Sequence, residues 1–142
     1  MKSQICFHNE DISFVLKEKT EIKKWIKKVI QSEKKALGEI HYFFCNDAYL
    51  LRLNKDYLNH DTYTDIITFD NSTKREIAAD IFISIERVKS NAKKYNVSFE
   101  NELHRVMIHG ILHLVGHRDI TNKDKALMRK KEDYYLGMKF RI

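Results

Sequence analysis

His109-Gly110-Ile111-Leu112-His113-Leu114-Val115-Gly116-His117-Arg118-Asp119 is the stretch around which this sequence is organised. Apolar residues flank two histidines four positions apart. On a helix, residues i and i+4 lie on one face with Cβ atoms about 5–6 Å apart. Two imidazoles at that spacing close on one metal ion, as on zinc-peptidase helices. Gly116 offers the left-handed residue that ends a helix. A chain turning there brings Asp119 back as a third ligand. Three protein ligands leave a fourth tetrahedral position for water, the arrangement of a catalytic zinc. The expected centre is one Zn2+ per chain on His109, His113 and Asp119, with a zinc-bound water as the reactive group.

His117 is the competing third ligand. If the helix ran through it, His109 and His117 would stand about 12 Å apart along the axis at about 1.5 Å per residue. Zinc–nitrogen bonds of about 2.0–2.1 Å cannot span that. His117 is therefore expected to point away from the ion or to act from outside its ligand shell.

Working outward, Leu103, Val106, Met107, Ile108, Ile111, Leu112, Leu114 and Val115 cover most of the circumference of this helix, which marks it as buried. Ser98 is its expected N-cap, with Glu100 and Glu102 in the turns where the helix dipole favours anions. Thr121 to Asp124 matches a capping box and opens a last helix, ended by Gly137. Upstream, Ser84 caps a helix to about Tyr95. Ile77–Ser84 and Asp65–Phe69 read as strands across the polar turn 71–76, an antiparallel pair. Asn59 to Thr64 is a polar loop. Asn46 or Asp47 caps a helix through about Tyr57, with Leu50, Leu51 and Leu53 inward. Glu39–Cys45 carries apolar residues on both faces, as a central strand does.

Nearer the N-terminus, Thr20 is the expected cap of a helix from Glu21 to about Ala36, ended by Gly38. Ile22, Trp25, Ile26, Val29 and Ile30 form its amphipathic stripe. Lys23, Lys24, Lys27 and Lys28 fall off that stripe, either as a solvated face or as a patch for RNA phosphates. Ile5–Phe7 and Ile12–Leu16 read as short strands around the turn 9–11, either a hairpin or a strand with a lead-in. The expected fold is α/β (α+β-like). One compact domain over 1–142 is expected, with about four or five strands and about five helices.

The 142 residues carry a net charge of +6, which favours an anionic partner without choosing it. No apolar run reaches the ~18 residues of a membrane span. The first residues lack the apolar core of a signal peptide, so a cytoplasmic protein with no membrane partner is expected. Cys6 and Cys45 form no paired motif and are expected as buried thiols. No dinucleotide cofactor is expected.

The pattern H-x-x-x-H-x-x-G-x-x-D repeats the ligand spacing of metzincin peptidases. It lacks their glutamate, because Gly110 follows the first ligand. That removes the base for peptide attack and argues against a peptidase. A zinc ion that neutralises phosphate oxygens and acidifies water suits phosphodiester cleavage instead.

The motif resembles the YbeY family of bacterial rRNA maturation factors, zinc-dependent endoribonucleases by proposal, whose signature reads H-G-x-L-H-L-x-G-Y-D-H. His109, Gly110, Leu112, His113, Leu114 and Gly116 match it. Leu53-Asn54, Tyr57 and the stretch 64–69 resemble the family segment L-N-x-x-Y-R-…-P-T-D-V-L-S-F. Ala79-Asp80-Ile81 resembles its G-D-I strand. The resemblance implies a mixed sheet of about four strands packed with helices, the metal lying in a cleft beside the buried motif helix. It also implies a cytoplasmic endoribonuclease that cuts single-stranded RNA, matures the 3′ end of small-subunit rRNA and serves ribosome quality control, with the small ribosomal subunit as partner. Two positions depart. The family's third histidine falls on Asp119, with His117-Arg118 in place of Tyr-Asp. The arginine after the family tyrosine falls on Leu58. Arg118 and Arg52 are candidate replacements for that charge, and His60 is a candidate for substrate contact or proton transfer. The rival reading is a non-catalytic RNA-binding factor of ribosome biogenesis with a structural zinc.

Overall fold

A computed structural model describes residues 3–59 and 62–139. Among these, nine elements follow in the order β1 (Gln4–Asn9), α1 (Lys19–Ser32), β2 (Ala36–Cys45), α2 (Asp47–Leu58), β3 (Ile66–Asp70), β4 (Glu76–Ser84), α3 (Ile85–Tyr95), α4 (Phe99–Leu114) and α5 (Asn122–Gly137). The sheet order is β1-β2-β4-β3. β1 and β4 run parallel to β2, and β3 runs antiparallel to β4. This is the expected mixed sheet with five helices.

Alternation along the strands sorts the two faces. Ile5, Ile40, Tyr42, Phe44, Ala79, Ile81 and Ile83 point to one side, where Trp25, Ile26 and Val29 of α1 and Met107, Ile108 and Ile111 of α4 close the main core. The buried Tyr42 hydroxyl donates to the Met107 carbonyl at 3.1 Å, and Trp25 Nε1 donates to the Tyr135 carbonyl at 2.9 Å. These bonds tie β2 to α4 and α1 to α5. On the other face α2 covers a smaller cluster of Cys45, Leu50 and Ile67.

The caps at Asn46, Ser84, Ser98 and Thr121 are all present, the last as a full capping box. Three expectations fail near the N-terminus. The segment 12–16 is not a strand. β1 pairs parallel with β2, which needs a crossover rather than a hairpin, and Leu16 simply buries against the core edge. Thr20 lies inside α1, because Glu18 in the left-handed conformation starts the helix. The helix also stops earlier. The Lys35 N–H returns to the Ile30 carbonyl and the Lys34 N–H to Gln31, with Lys34 at φ 63°. That is a Schellman ending. Gly38 therefore lies in β2, where an added Cβ would meet the Ile77 carbonyl oxygen at 3.0 Å. Cys45 is buried, and burial first of all pushes its thiol up to about 12, whereas Cys6 is only half-buried. No helix among the described residues is long and apolar enough to cross a membrane.

Candidate active site

α4 is buried on nearly every side, including Gly110. Its open side is a seam of Asn101, Arg105, His109 and His113, each four residues from the next. An added Cβ at Gly110 would meet Ile66 Cδ1 at 3.0 Å, so the glycine lets α4 lie close against β3. The two motif histidines stand on the seam beside that strand.

Glu132 of α5 fixes His109. Its Oε2 is 2.7 Å from His109 Nδ1, and its Oε1 accepts from Arg105 Nη1 at 2.9 Å. Arg105 also donates to Asp133 at 2.7 Å. With Nδ1 engaged, His109 Nε2 is left 3.7 Å from Asp119 Oδ2. Burial alone would push the His109 imidazole down. The Glu132 bond and charge, with Asp119 and Asp65, hold its pKa above the ordinary value. Burial pushes the Asp65 carboxyl up, against the pull of His109.

The turn after α4 is a second Schellman ending. Gly116, at φ 111°, donates to the His113 carbonyl at 3.1 Å, and the His117 N–H donates to Leu112 at 3.0 Å. An L side chain is strained at that φ, which is why glycine stands there. His117 lines neither of the two cavities beside the seam. Its Nε2 lies 2.6 Å from Glu33 Oε1 at the end of α1. Glu33 also accepts from Tyr135 and, at 3.2 Å, from Lys131. Burial raises the Glu33 pKa, but these three partners bring it below the ordinary glutamate value.

Two cavities share His109, Asp119 and Ile66. One, of about 510 Å³, is lined by Asn54, Leu58, the stretch 62–64, Ile67, Thr68 and His113. Asn54 Nδ2 pins its wall by donating to the Thr62 carbonyl at 2.8 Å. Its lining includes no lysine or arginine among the described residues, and Leu58 stands where the resembling family has its arginine. The other, of about 410 Å³, lies between α3, α4 and α5. Asp65, Asn91, Tyr95, Glu102, Arg105, Lys125, Arg129 and Glu132 line it.

His109, His113 and Asp119 line one cavity, and of the three the His109–Asp119 pair is in close contact. The structure does not bring in Arg52, which pairs with Asp11 at 3.3 Å, or Arg118, which is exposed and lines neither cavity. Lys23, Lys24, Lys27 and Lys28 are exposed on α1, also outside both cavities. His60 lies outside the described residues. Sequence reasoning missed Glu132, Glu102, Arg105 and Asp65. Arg105 and Glu102 had a signal, since they precede His109 by four and seven residues on the same helix. Glu132 had none, because only the packing of α5 on α4 brings it to His109.

The donor set fits zinc. Imidazole nitrogen and carboxylate oxygen are both zinc ligands, and two of them on one tetrahedral ion stand roughly 3.3 Å apart. His109 Nε2 and Asp119 Oδ2, at 3.7 Å, are within a few tenths of that. The Glu132 carboxylate on the far nitrogen of His109 is the usual support of a zinc-binding histidine. His113 shares the cavity. Among the described residues no three such side chains are already gathered into a complete cage.

A family model described as Endoribonuclease YbeY matches residues 4–138. The chain is 49% identical over 136 residues to Endoribonuclease YbeY of Cytophaga hutchinsonii, covering 95% of each chain. It is 54% identical over 130 residues to the protein of that name in Flavobacterium psychrophilum, covering 92% of this chain and 93% of the other. A solution structure of TM1509 from Thermotoga maritima matches with a TM-score of 0.64 at 24% identity, over 96% of this chain and 89% of that one. That likeness shows the fold.

Proposed function

The chain belongs to the endoribonuclease YbeY family, and we propose that it is a zinc-dependent endoribonuclease that cuts single-stranded RNA in the cleft beside His109. The observation that carries the zinc reading is the His109–Asp119 pair with Glu132 behind it. His109, His113 and Asp119 would hold the ion. Bound there, zinc would neutralise a phosphate oxygen and lower the pKa of a water. The residues of the chain do the rest. Glu132 keeps the Nε2 of His109 available and Arg105 holds Glu132 in place. Arg129 and Lys125 put positive charge at the mouth of the smaller cavity, where the larger one has none among the described residues. The excess of positive charge over the whole chain favours an RNA backbone.

On the family resemblance, the substrate is ribosomal RNA in the cytoplasm, at the 3′ end of the small-subunit molecule and in ribosome quality control. The rival reading, an RNA-binding factor of ribosome biogenesis with a structural zinc, is favoured by one observation: Leu58 lies in the cleft where the family has arginine. The test is cleavage of a single-stranded fragment from the 3′ end of small-subunit rRNA by zinc-loaded protein, with His113→Ala as control. Cleavage that disappears in the variant supports the enzyme. Zinc-loaded protein that binds the fragment and leaves it whole supports the rival.

A further inference from the structure

We infer that the cavity between α3, α4 and α5 is a guanine pocket, in which the Glu102 carboxylate reads the N1–H and 2-amino group of one base of the bound RNA. The inference rests on the endoribonuclease reading above and adds to it a base preference and the residue that sets it.

Four carboxylates line this cavity, and two of them, Glu132 and Asp119, face His109. Glu132 spends one oxygen on Arg105 and the other on His109. Beyond burial, the strongest influence on the Asp65 carboxyl is the charge of His109. Glu102 is only 5% exposed, and its side chain accepts no hydrogen bond among the described residues. A carboxylate so enclosed, its oxygens open to the cavity rather than fully buried, still carries a desolvation cost. Burial, and then the neighbouring Asp65, push its pKa up, while Arg105 and Arg129 offset this from a distance. A ligand that offers N–H donors relieves that cost, and the cavity is where such a ligand would sit.

The chemistry of the floor selects the base. A carboxylate presents two acceptor oxygens side by side and, when ionised, no donor. Guanine alone among the four RNA bases offers two adjacent N–H donors, N1–H and the 2-amino group. Adenine and cytosine place a ring acceptor beside their one amine, and that acceptor would face the second oxygen. Uracil has one N–H between two carbonyls. The Asn91 amide lines the same cavity and suits the guanine O6. Tyr95 is 52% exposed at the rim and offers a face for stacking. Lys125 and Arg129 are exposed there for the ribose-phosphate. At about 410 Å³ the space falls in the roughly 300–1,000 Å³ range of small-molecule sites. Its wall includes His109 and Asp119, so a seated base lies next to the phosphate at those residues.

The test is calorimetric titration of the full purified chain with GMP, IMP, AMP, CMP and UMP. All five carry the same phosphate, so differences report the base. GMP should bind at least about tenfold tighter than AMP, CMP and UMP, and IMP, which lacks the 2-amino group, should fall between. Glu102→Gln keeps the shape and replaces one acceptor with a donor, so it should abolish the preference. Equal binding of all five, IMP equal to GMP, or a preference that survives Glu102→Gln overturns the inference. If that variant does not fold, the wild-type contrast of GMP with IMP and AMP decides alone. Cleavage of guanosine-containing and guanosine-free RNA separates this inference from the reading beneath it. RNA cut without any preference for GMP refutes the pocket and leaves the nuclease. GMP preferred while zinc-loaded protein cuts neither RNA refutes the nuclease and leaves the pocket.

Discussion

His109 and His117 lie on either side of the turn at Gly116, and each is bonded to a glutamate from another helix. They end in opposite roles. Glu132 takes the Nδ1 of His109, so Nε2 faces Asp119 across 3.7 Å. Glu33 takes the Nε2 of His117, and the ring turns toward α1 and lines neither cavity. The first clamp leaves Nε2 open for the proposed zinc. The second anchors the turn that carries Asp119, with Tyr135 and Lys131 sharing the same carboxylate. A histidine near a metal motif is thus assigned by which nitrogen its neighbour takes and which element that neighbour comes from.

Three measurements break or sharpen this contrast. The largest effect is expected from Asp119→Ala, which removes a donor. In a competitive chelator titration it should weaken zinc binding by more than about a hundredfold, beyond the ~10–100-fold typical of losing a partner behind a ligand. His117→Ala should weaken it less than about tenfold, and Asp119→His should retain the ion. The reverse ranking would exchange the roles of the two residues.

A middling effect is expected from the two glutamates. Glu132→Gln should cost about 10–100-fold in zinc affinity, because the amide orients His109 poorly and cannot strengthen its basicity. Glu33→Gln should leave zinc affinity within a few-fold. Equal losses would show that both clamps act on the ion.

The smallest effect is on folding. Glu33→Gln should lower stability by about 1–3 kcal/mol at neutral pH, since three donors lose a charged acceptor. The folded-state pKa of Glu33 lies below its ordinary value of 4.5. Its contribution is therefore present above pH 4.5 and lost as pH falls through the folded value. The difference in Tm between wild type and Glu33→Gln should shrink in acid. A difference that holds constant with pH would remove the carboxylate charge from the explanation.

The sequence was legible wherever a local rule had no competitor. Ser84, Ser98 and Thr121 cap the helices they precede, because a side-chain oxygen beside free N–H groups acts within one turn. It was misleading where two local signals competed. Thr20 looks like a cap, yet the left-handed Glu18 starts α1. Gly38 looks like a helix stop, yet the stop is Lys34, and Gly38 serves the close approach of β2 to β4.

By itself the sequence determined the elements, the buried helix with its histidine pair, and the break at Gly116. Each depends on contacts within a few residues, governed by helical spacing, capping and the φ of one glycine. Tertiary structure alone decided that Glu132 holds His109, that Glu33 turns His117 aside, and that Glu102 faces a cavity without a hydrogen-bond partner among the described residues. Those facts depend on α1, α3 and α5 converging on α4. A carboxylate 23 residues downstream of His109 becomes its hydrogen-bond partner only when the packing of two helices brings them within 2.7 Å.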